Sequence, residues 1–358
     1  MSQVVRTTTR MLLFPTRFPA PIVPAADSVP ALRWGIIAPG GIAATFAAAV
    51  KVHTNQRLVA VASRSLDRAR SFANTWGIPT AYGDYSELLA NPDVDVVYIA
   101  AQQHVHRELA LLAIVAGKHI LVEKPFAMNG AEARDIVAAA RRAGTFAMEA
   151  MWTRYLPQTS VIMQLIADGV LGDITLVTAD HGQNMPVDHR VRKLDSGGGA
   201  LLDLGIYPIA FASQILGTPA AIHNVGSLID TGVDGQSLLT FSYASGAQAQ
   251  VNTSLLARTP ITASIAGSDA LLQVGGPFFA PSTLTLSQPG FSGESIHWAD
   301  QSGIVAHQGL SYQATALAGY IAQGFTESPV HSLDETVAIV DSIDSARWQL
   351  GYRFDSEK

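Results

Sequence analysis

Three side chains could do proton chemistry in this chain: Lys124, Asp203 and Tyr207. A lysine ordinarily titrates near ~10.4 and a tyrosine near ~10, so both are poor bases at neutral pH until their surroundings shift them. Held out of water beside other charges, either can exchange a proton with a bound hydroxyl. Lys124 follows His119-Ile120-Leu121-Val122-Glu123 and precedes Pro125. The Ile-Leu-Val run reads as a short strand buried on both faces, which tolerates no charge along its length. Glu123 and Lys124 therefore fall just past its carboxyl end, where open α/β sheets place their ligands. Pro125 has no N–H to extend the ladder, so the strand stops and the lysine stands at the crevice edge. A surface ion pair at a strand end is the alternative. Asp203 and Tyr207 follow Gly197-Gly198-Gly199 and are four residues apart, so they share a helix face and can meet one ligand. A buried tyrosine partnered by an aspartate is the competing explanation.

The segments around these residues alternate strand and helix. Residues 34–38 read as a strand, followed by a glycine turn and an alanine-rich helix to Val50. Strands at 57–62, 80–82, 94–100, 119–122 and 145–151 follow, with helices at 85–89, 107–116 and 130–143 between them. That alternation makes a doubly wound parallel sheet, an α/β Rossmann-type nucleotide-binding domain over residues 31–152. Residues 1–30, broken by five prolines after Phe14, read as an extended arm without its own core. After Tyr155 the pattern changes. A helix at 158–168 and a strand at 173–181 precede the glycine run, and the helix that carries Asp203 and Tyr207 continues to Leu216. Short β-type runs at 236–243, 248–256, 261–266, 271–274 and 282–286 make a large, mostly antiparallel sheet. Helices at 312–323 and 334–350 close a second, α+β domain over 153–358, the last helix returning to the first domain.

The glycine turn is where a phosphate would bind, because a helix N-terminus offers unsatisfied N–H groups. The fingerprint G-x-G-x-x-G/A appears here as Ala38-Pro39-Gly40-Gly41-Ile42-Ala43, with the first glycine replaced. A plain strand-to-helix turn would look similar. The strand at 57–62 ends on Ser63-Arg64, with Arg68 one turn on, where an NAD site usually carries an acidic residue for the ribose hydroxyl. Hydroxyl and guanidinium suit a 2′-phosphate, which favours NADP, with NAD possible.

Composition bounds the rest. The chain has 358 residues, 48% apolar and 15% charged, which suits two folded domains and not disorder. A net charge of −6 excludes a polyanion such as nucleic acid as the natural partner. No apolar run reaches transmembrane length, so no membrane is expected. The absence of cysteine excludes thiolate chemistry and is compatible with a reducing cytoplasm. His104 and His106 have no carboxylate or cysteine cluster beside them, so they read as hydrogen-bonding loop residues, and no metal is expected.

Trp34-Gly35-Ile36, Gly40-Gly41-Ile42-Ala43, Ser63-Arg64, Ala116-Gly117-Lys118-His119 and Glu123-Lys124-Pro125 together resemble the Gfo/Idh/MocA oxidoreductases. Met148-Glu149-Ala150-Met151-Trp152-Thr153-Arg154-Tyr155 narrows the resemblance to the dihydrodiol, xylose and glucose–fructose branch, over about residues 33–354. The resemblance implies that Lys124 sits at the nicotinamide and that Asp203 and Tyr207 lie on the catalytic helix. It further implies that Ala101, Gln103, His106, Glu123, Trp152 and Arg154 join Gly40, Gly41, Ile42, Ser63, Arg64 and Arg68 in the cofactor shell. Ala38, Ala101-Gln102-Gln103 and Tyr207 depart from the common family pattern. The implied activity is hydride transfer between nicotinamide and a sugar or cyclic diol. Lys124 and Tyr207 form the acid/base pair, burial and the positive nicotinamide ring lowering the lysine pKa and a neighbouring cation lowering the tyrosine's. A homodimer or homotetramer through the second sheet is implied too. A nucleotide-binding regulator, or an enzyme that recycles its nicotinamide without net redox, are the alternative functions.

Overall fold

The computed structural model describes residues 14–290, 292–354 and 357. Its first sheet comprises β1 (Arg33–Ile37), β2 (Arg57–Ala62), β3 (Thr80–Tyr82), β4 (Val96–Ile99), β5 (His119–Val122) and β6 (Ala147–Glu149). All are parallel, in the order β3-β2-β1-β4-β5-β6. The crossovers carry α1 (Gly41–His53), α2 (Leu66–Trp76), α3 (Tyr85–Ala90), α4 (His106–Val115) and α5 (Gly130–Ala143). Val96–Ile99 is buried at every position, as a strand covered by helices on both faces must be. The helix ends obey local chemistry. Ser65 caps α2 by accepting from Arg68 N, Asn129 caps α5 by accepting from Glu132 N, and both helices end on a left-handed glycine, Gly77 and Gly144.

A short helical turn, Trp152–Tyr155, and α6 (Pro157–Ala167) lead into the second sheet. Its strands are β7 (Ile174–Gly182), β8 (Ala221–Leu228), β9 (Asp234–Ser242), β10 (Gln248–Ser254), β11 (Ala263–Gly267), β12 (Leu271–Val274), β13 (Thr283–Ser287) and β14 (Ser295–Ala299). They lie in the order β14-β13-β12-β11-β7-β10-β9-β8, antiparallel except for the β7–β10 pair. Val177, Leu239, Val251 and Ile265 are buried on the inner face, where β7 and β10 pack against α7 (Ile206–Leu216), while Leu238, Thr240, Gln248 and Gln250 face outward. This is the period-two alternation that the apolar pattern predicts. The two edge strands β8 and β14 escape the sequence reading. β8 carries Asn224 and Gly226, and β14 is a five-residue edge, so neither presents a long apolar run.

Two helices close the chain, α8 (Leu310–Ala322) and α9 (Leu333–Gln349). The last helix contacts both sheets' domains. Asp341 and Asp334 pair with Arg134 and Arg141 of α5 at 2.8 and 2.9 Å, and Ala346 O accepts from Asn224 Nδ2 of β8 at 2.9 Å. The arm lies along α6, where Ile22 N donates to Ser160 Oγ at 2.8 Å and Gln164 Nε2 to Ala20 O at 2.9 Å. Met11, Leu12 and Leu13 of the expected arm fall outside the described residues.

Candidate active site

Strand β5 ends where the apolar run stops, and Lys124 projects into a cleft of about 290 Å³ between the two domains. Its Nζ donates to the backbone carbonyl of Asp203 at 2.8 Å and stands 3.7 Å from the Asp203 carboxylate. The same ammonium lies 5.0 Å from the centre of the Tyr207 ring. Beneath it, buried Glu123 accepts hydrogen bonds from the Tyr98 hydroxyl and, at 3.1 Å, from Lys124 N. The elements around the glycine run explain the convergence. Gly197 and Gly199 have φ of +72° and +130°, and a Cβ at Gly198 would collide with the carbonyl oxygens of Val191 and Lys193. Only glycine allows the loop to fold so tightly against the helix start. The expected α-helix begins instead as a π turn, Leu201–Gly205, before α7. Such turns recur at functional sites, and this one holds Asp203.

Trp152, from the crossover turn, donates from its indole Nε1 to the Tyr207 hydroxyl at 3.2 Å. Phe279 stacks on both Tyr207 and His181, with ring centres 4.8 and 4.6 Å apart. Arg190 bridges the domains, donating to Asp203 Oδ1 and Gln103 Oε1, each at 3.3 Å. Gln183 and His307 complete the polar wall. His181, Gln183, Arg190, Phe279 and His307 are site residues that the sequence reading missed. Only His181, at the carboxyl end of an expected strand, carried a usable positional signal.

The charges settle the resting protonation. Burial pulls the Lys124 pKa down, yet Asp203, Tyr207 and Glu123 together outweigh it and the net shift is upward. Burial pushes Tyr207 up further than Lys124 can lower it. Burial also pushes Asp203 up, but Lys124 and Arg190 reverse that and keep it ionised. Both shifts run opposite to the expected lowering of the lysine and the tyrosine. The site therefore rests as an ammonium, a neutral phenol and a carboxylate.

A second cavity of about 410 Å³ meets the cleft at Ala101 and runs over Gly40, Ser63, Arg64 and Arg68. Helix α1 opens there with no capping side chain and no acidic residue in its first turn, so its N–H groups are available to an anion. Neither Arg64 nor Arg68 makes an ion pair among the described residues. A dinucleotide's phosphates would fit this donor set, and the adjoining cleft leads from Ala101 to Lys124. Ala38 takes the glycine-type conformation of the fingerprint, at φ +61°. Of the expected shell, Gly40, Ser63, Arg64 and Arg68 line the outer cavity, Ala101 both, and Ile42, Gln103, Glu123 and Trp152 the cleft. Gly41 is the first residue of α1, between the two sets. His106 and Arg154 are corrections. The His106 ring is buried behind the loops, bonded to the carbonyls of Pro125 and Ala101 at 2.9 and 3.0 Å, so it braces the shell from outside. Arg154 points away from the cleft, with Nη2 bonded to Glu335 at 2.6 Å and to Ala210 O at 2.8 Å.

The groove thus starts at an uncapped helix end and finishes at proton-carrying side chains, an arrangement that can hold an anionic cofactor beside groups able to move a proton. Family models agree: one described as an oxidoreductase family with an NAD-binding Rossmann fold matches residues 32–151, and the GFO/IDH/MocA C-terminal domain matches residues 160–273. The chain belongs to the Gfo/Idh/MocA oxidoreductase family. The trans-1,2-dihydrobenzene-1,2-diol dehydrogenase of Bos taurus is 36% identical over 339 residues, covering 92% of this chain and 99% of its own. The enzyme of that name from Sus scrofa is 34% identical with the same coverage. Among solved structures, levoglucosan dehydrogenase in complex with NADH shares the fold, at TM-score 0.81 and 22% identity over 90% of this chain and 97% of that one. KijD10, a 3-ketoreductase from Actinomadura kijaniata in complex with NADP and TDP-benzene, matches at TM-score 0.77 and 26% identity over 89% and 98%. Among the described residues no helix is long and apolar enough to cross a membrane.

Proposed function

We propose that the protein is an NADP-dependent oxidoreductase acting on a secondary alcohol or hemiacetal carbon of a sugar or cyclic diol, with Lys124 and Tyr207 as its acid/base pair. The observation that carries this reading is the convergence of Lys124 Nζ, the Tyr207 ring and Asp203 at the inner end of a nucleotide-sized groove. The diol dehydrogenase name of the bovine relative supports the substrate class. Bound nicotinamide would supply the carbon that accepts or gives the hydride. The protein's own work is the proton. Lys124 and Tyr207 hold one each and can donate to a carbonyl oxygen in reduction, while in oxidation one must first be lost. As coupled groups, they give and take that proton as a pair. Ionised Asp203 holds the ammonium in place, and Trp152 orients the phenol. Arg64 and Arg68, with Ser63, suit a ribose 2′-phosphate.

The outer face of the second sheet supports a homodimer or homotetramer. Val225 and Leu238, opposed across β8 and β9, are 76% and 53% exposed, amid uncharged Thr240, Gln248 and Gln250. A chain without cysteine fits a reducing cytoplasm. Incubating the protein with NADP and a panel of sugars and cyclic diols, followed at the NADPH absorbance band, tests the activity. Net NADPH is expected. Product without net NADPH would mean internal recycling, and binding without turnover a regulator.

A further inference from the structure

His307 lies in the short turn Ala306–Gly309, between β14 and α8, beyond the stretch that either family model matches. Its ring stacks on Trp152 with centres 5.5 Å apart and planes 26° from parallel. Trp152 in turn donates to Tyr207, so the imidazole and the phenol belong to the same wall of the cleft. The residue before it, Ala306, sits at φ +48°, a conformation that costs a non-glycine residue energy and persists only when its surroundings impose it. The ring also separates the cleft from an outer cavity of about 320 Å³ against α1.

What distinguishes His307 is its lack of internal bonds. Elsewhere on the wall, His181 engages Leu204 O and Gln183, and Arg190 engages Asp203 and Gln103. Neither ring nitrogen of His307 has a hydrogen-bond partner among the described residues, although the side chain lines the cleft. The residue is exposed overall, but partial desolvation of the ring, then the Lys124 charge, lowers its pKa, so at neutral pH it offers one donor and one acceptor. Lys124 and Tyr207 suffice for the oxygen that reacts. A second oxygen on the same substrate would meet other polar groups.

We propose that His307 hydrogen-bonds a second hydroxyl of the substrate and so selects polyols over simple alcohols. The inference rests on the dehydrogenase reading above. It is tested with cyclohexane-1,2-diol against cyclohexanol, and a pentose against its deoxy analogue, by measuring kcat/KM for wild type, His307→Phe and His307→Asn. Phenylalanine keeps the stack on Trp152 and removes the polar atoms. It should lower kcat/KM for the polyol about tenfold more than for the mono-alcohol, the size of one lost hydrogen bond. Asparagine, which restores donor and acceptor, should recover part of the polyol activity. Equal losses on both members of a pair would show that His307 only packs Trp152 and would overturn the proposal, as would unchanged rates on both. A wild type that oxidises no compound in either pair would sink the dehydrogenase reading itself, and this inference with it.

Discussion

Ala38 stands at φ +61° in the phosphate turn, where the common fingerprint has glycine. The left-handed conformation costs an L-residue about 1–2 kcal/mol, and glycine gives back about 0.5–1 kcal/mol in unfolded-state entropy. Ala38→Gly should therefore stabilise the protein by up to about 1.5 kcal/mol, read as a higher urea midpoint with an unchanged slope. A lower midpoint would mean that the methyl group packs better than it strains. Glu123 offers a second test. Burial, opposed by the Tyr98 hydroxyl and Lys124, leaves its pKa raised to about 7. Its charge beside Lys124 thus changes across neutral pH, and the kcat/KM profile should bend near that value. Glu123→Gln should lose the bend while remaining folded, whereas an identical bend in the variant would assign it elsewhere. At this scale the sequence revealed Lys124, Asp203 and Tyr207, because charge after an apolar run and i,i+4 spacing survive in one dimension. It hid the direction of their pKa shifts, which depends on three charges brought together from distant segments. It hid Phe279 and His307 as well, since both sit in turns with no periodic pattern around them.

Among the elements, the crossover and the last helix meet in a largely buried hydrogen-bonded chain of polar side chains. Glu149, at the end of β6, accepts from Phe126 N and faces His331 Nε2, both at 2.9 Å. His331 Nδ1 faces Glu335 at 3.2 Å, and Glu335 accepts from Arg154 at 2.6 Å. The chain thus ties α9 to the backbone two residues beyond Lys124. Burial pushes Glu335 up, but His331 and Arg154 win and hold its pKa at about 2 against an ordinary 4.5. A carboxyl depressed on folding stabilises the protein above its unfolded pKa and loses that contribution as pH falls through the folded one. The shift corresponds to about 3 kcal/mol, lost between about pH 5 and pH 2. Glu335→Gln should be less stable at neutral pH and should lose less on acidification, seen by thermal unfolding at several pH values. Parallel acid profiles for variant and wild type would rule the network out as the cause. The strands of the first sheet and most of the second could be read in advance from apolar runs and turn residues. The π turn at Leu201–Gly205 could not be, because the apolar pattern over residues 200–216 reads as one continuous helix. Arg154 was misplaced for a related reason: position in a linker does not say which side of a turn faces the cleft.

As a whole molecule, the protein sets the groove over α1 against the turn and helix that carry Asp203 and Tyr207, with Arg190 and Lys124 spanning the gap. Cofactor choice belongs to the outer end of that groove. Arg64→Asp should weaken NADP binding by about tenfold or more, the worth of a charge-assisted hydrogen bond, and relatively favour NAD. Wild-type protein that binds NAD more tightly than NADP in calorimetry would refute the assignment. The central claim lies at the inner end, where Lys124 completes the proton machinery. Its most direct test is steady-state NADPH formation by Lys124→Met beside wild type, on the best substrate of the sugar and diol panel, with NADP binding checked by calorimetry. The account predicts that the variant binds NADP normally and turns over at least about 100-fold more slowly. A variant that binds NADP and keeps most of its activity would contradict it.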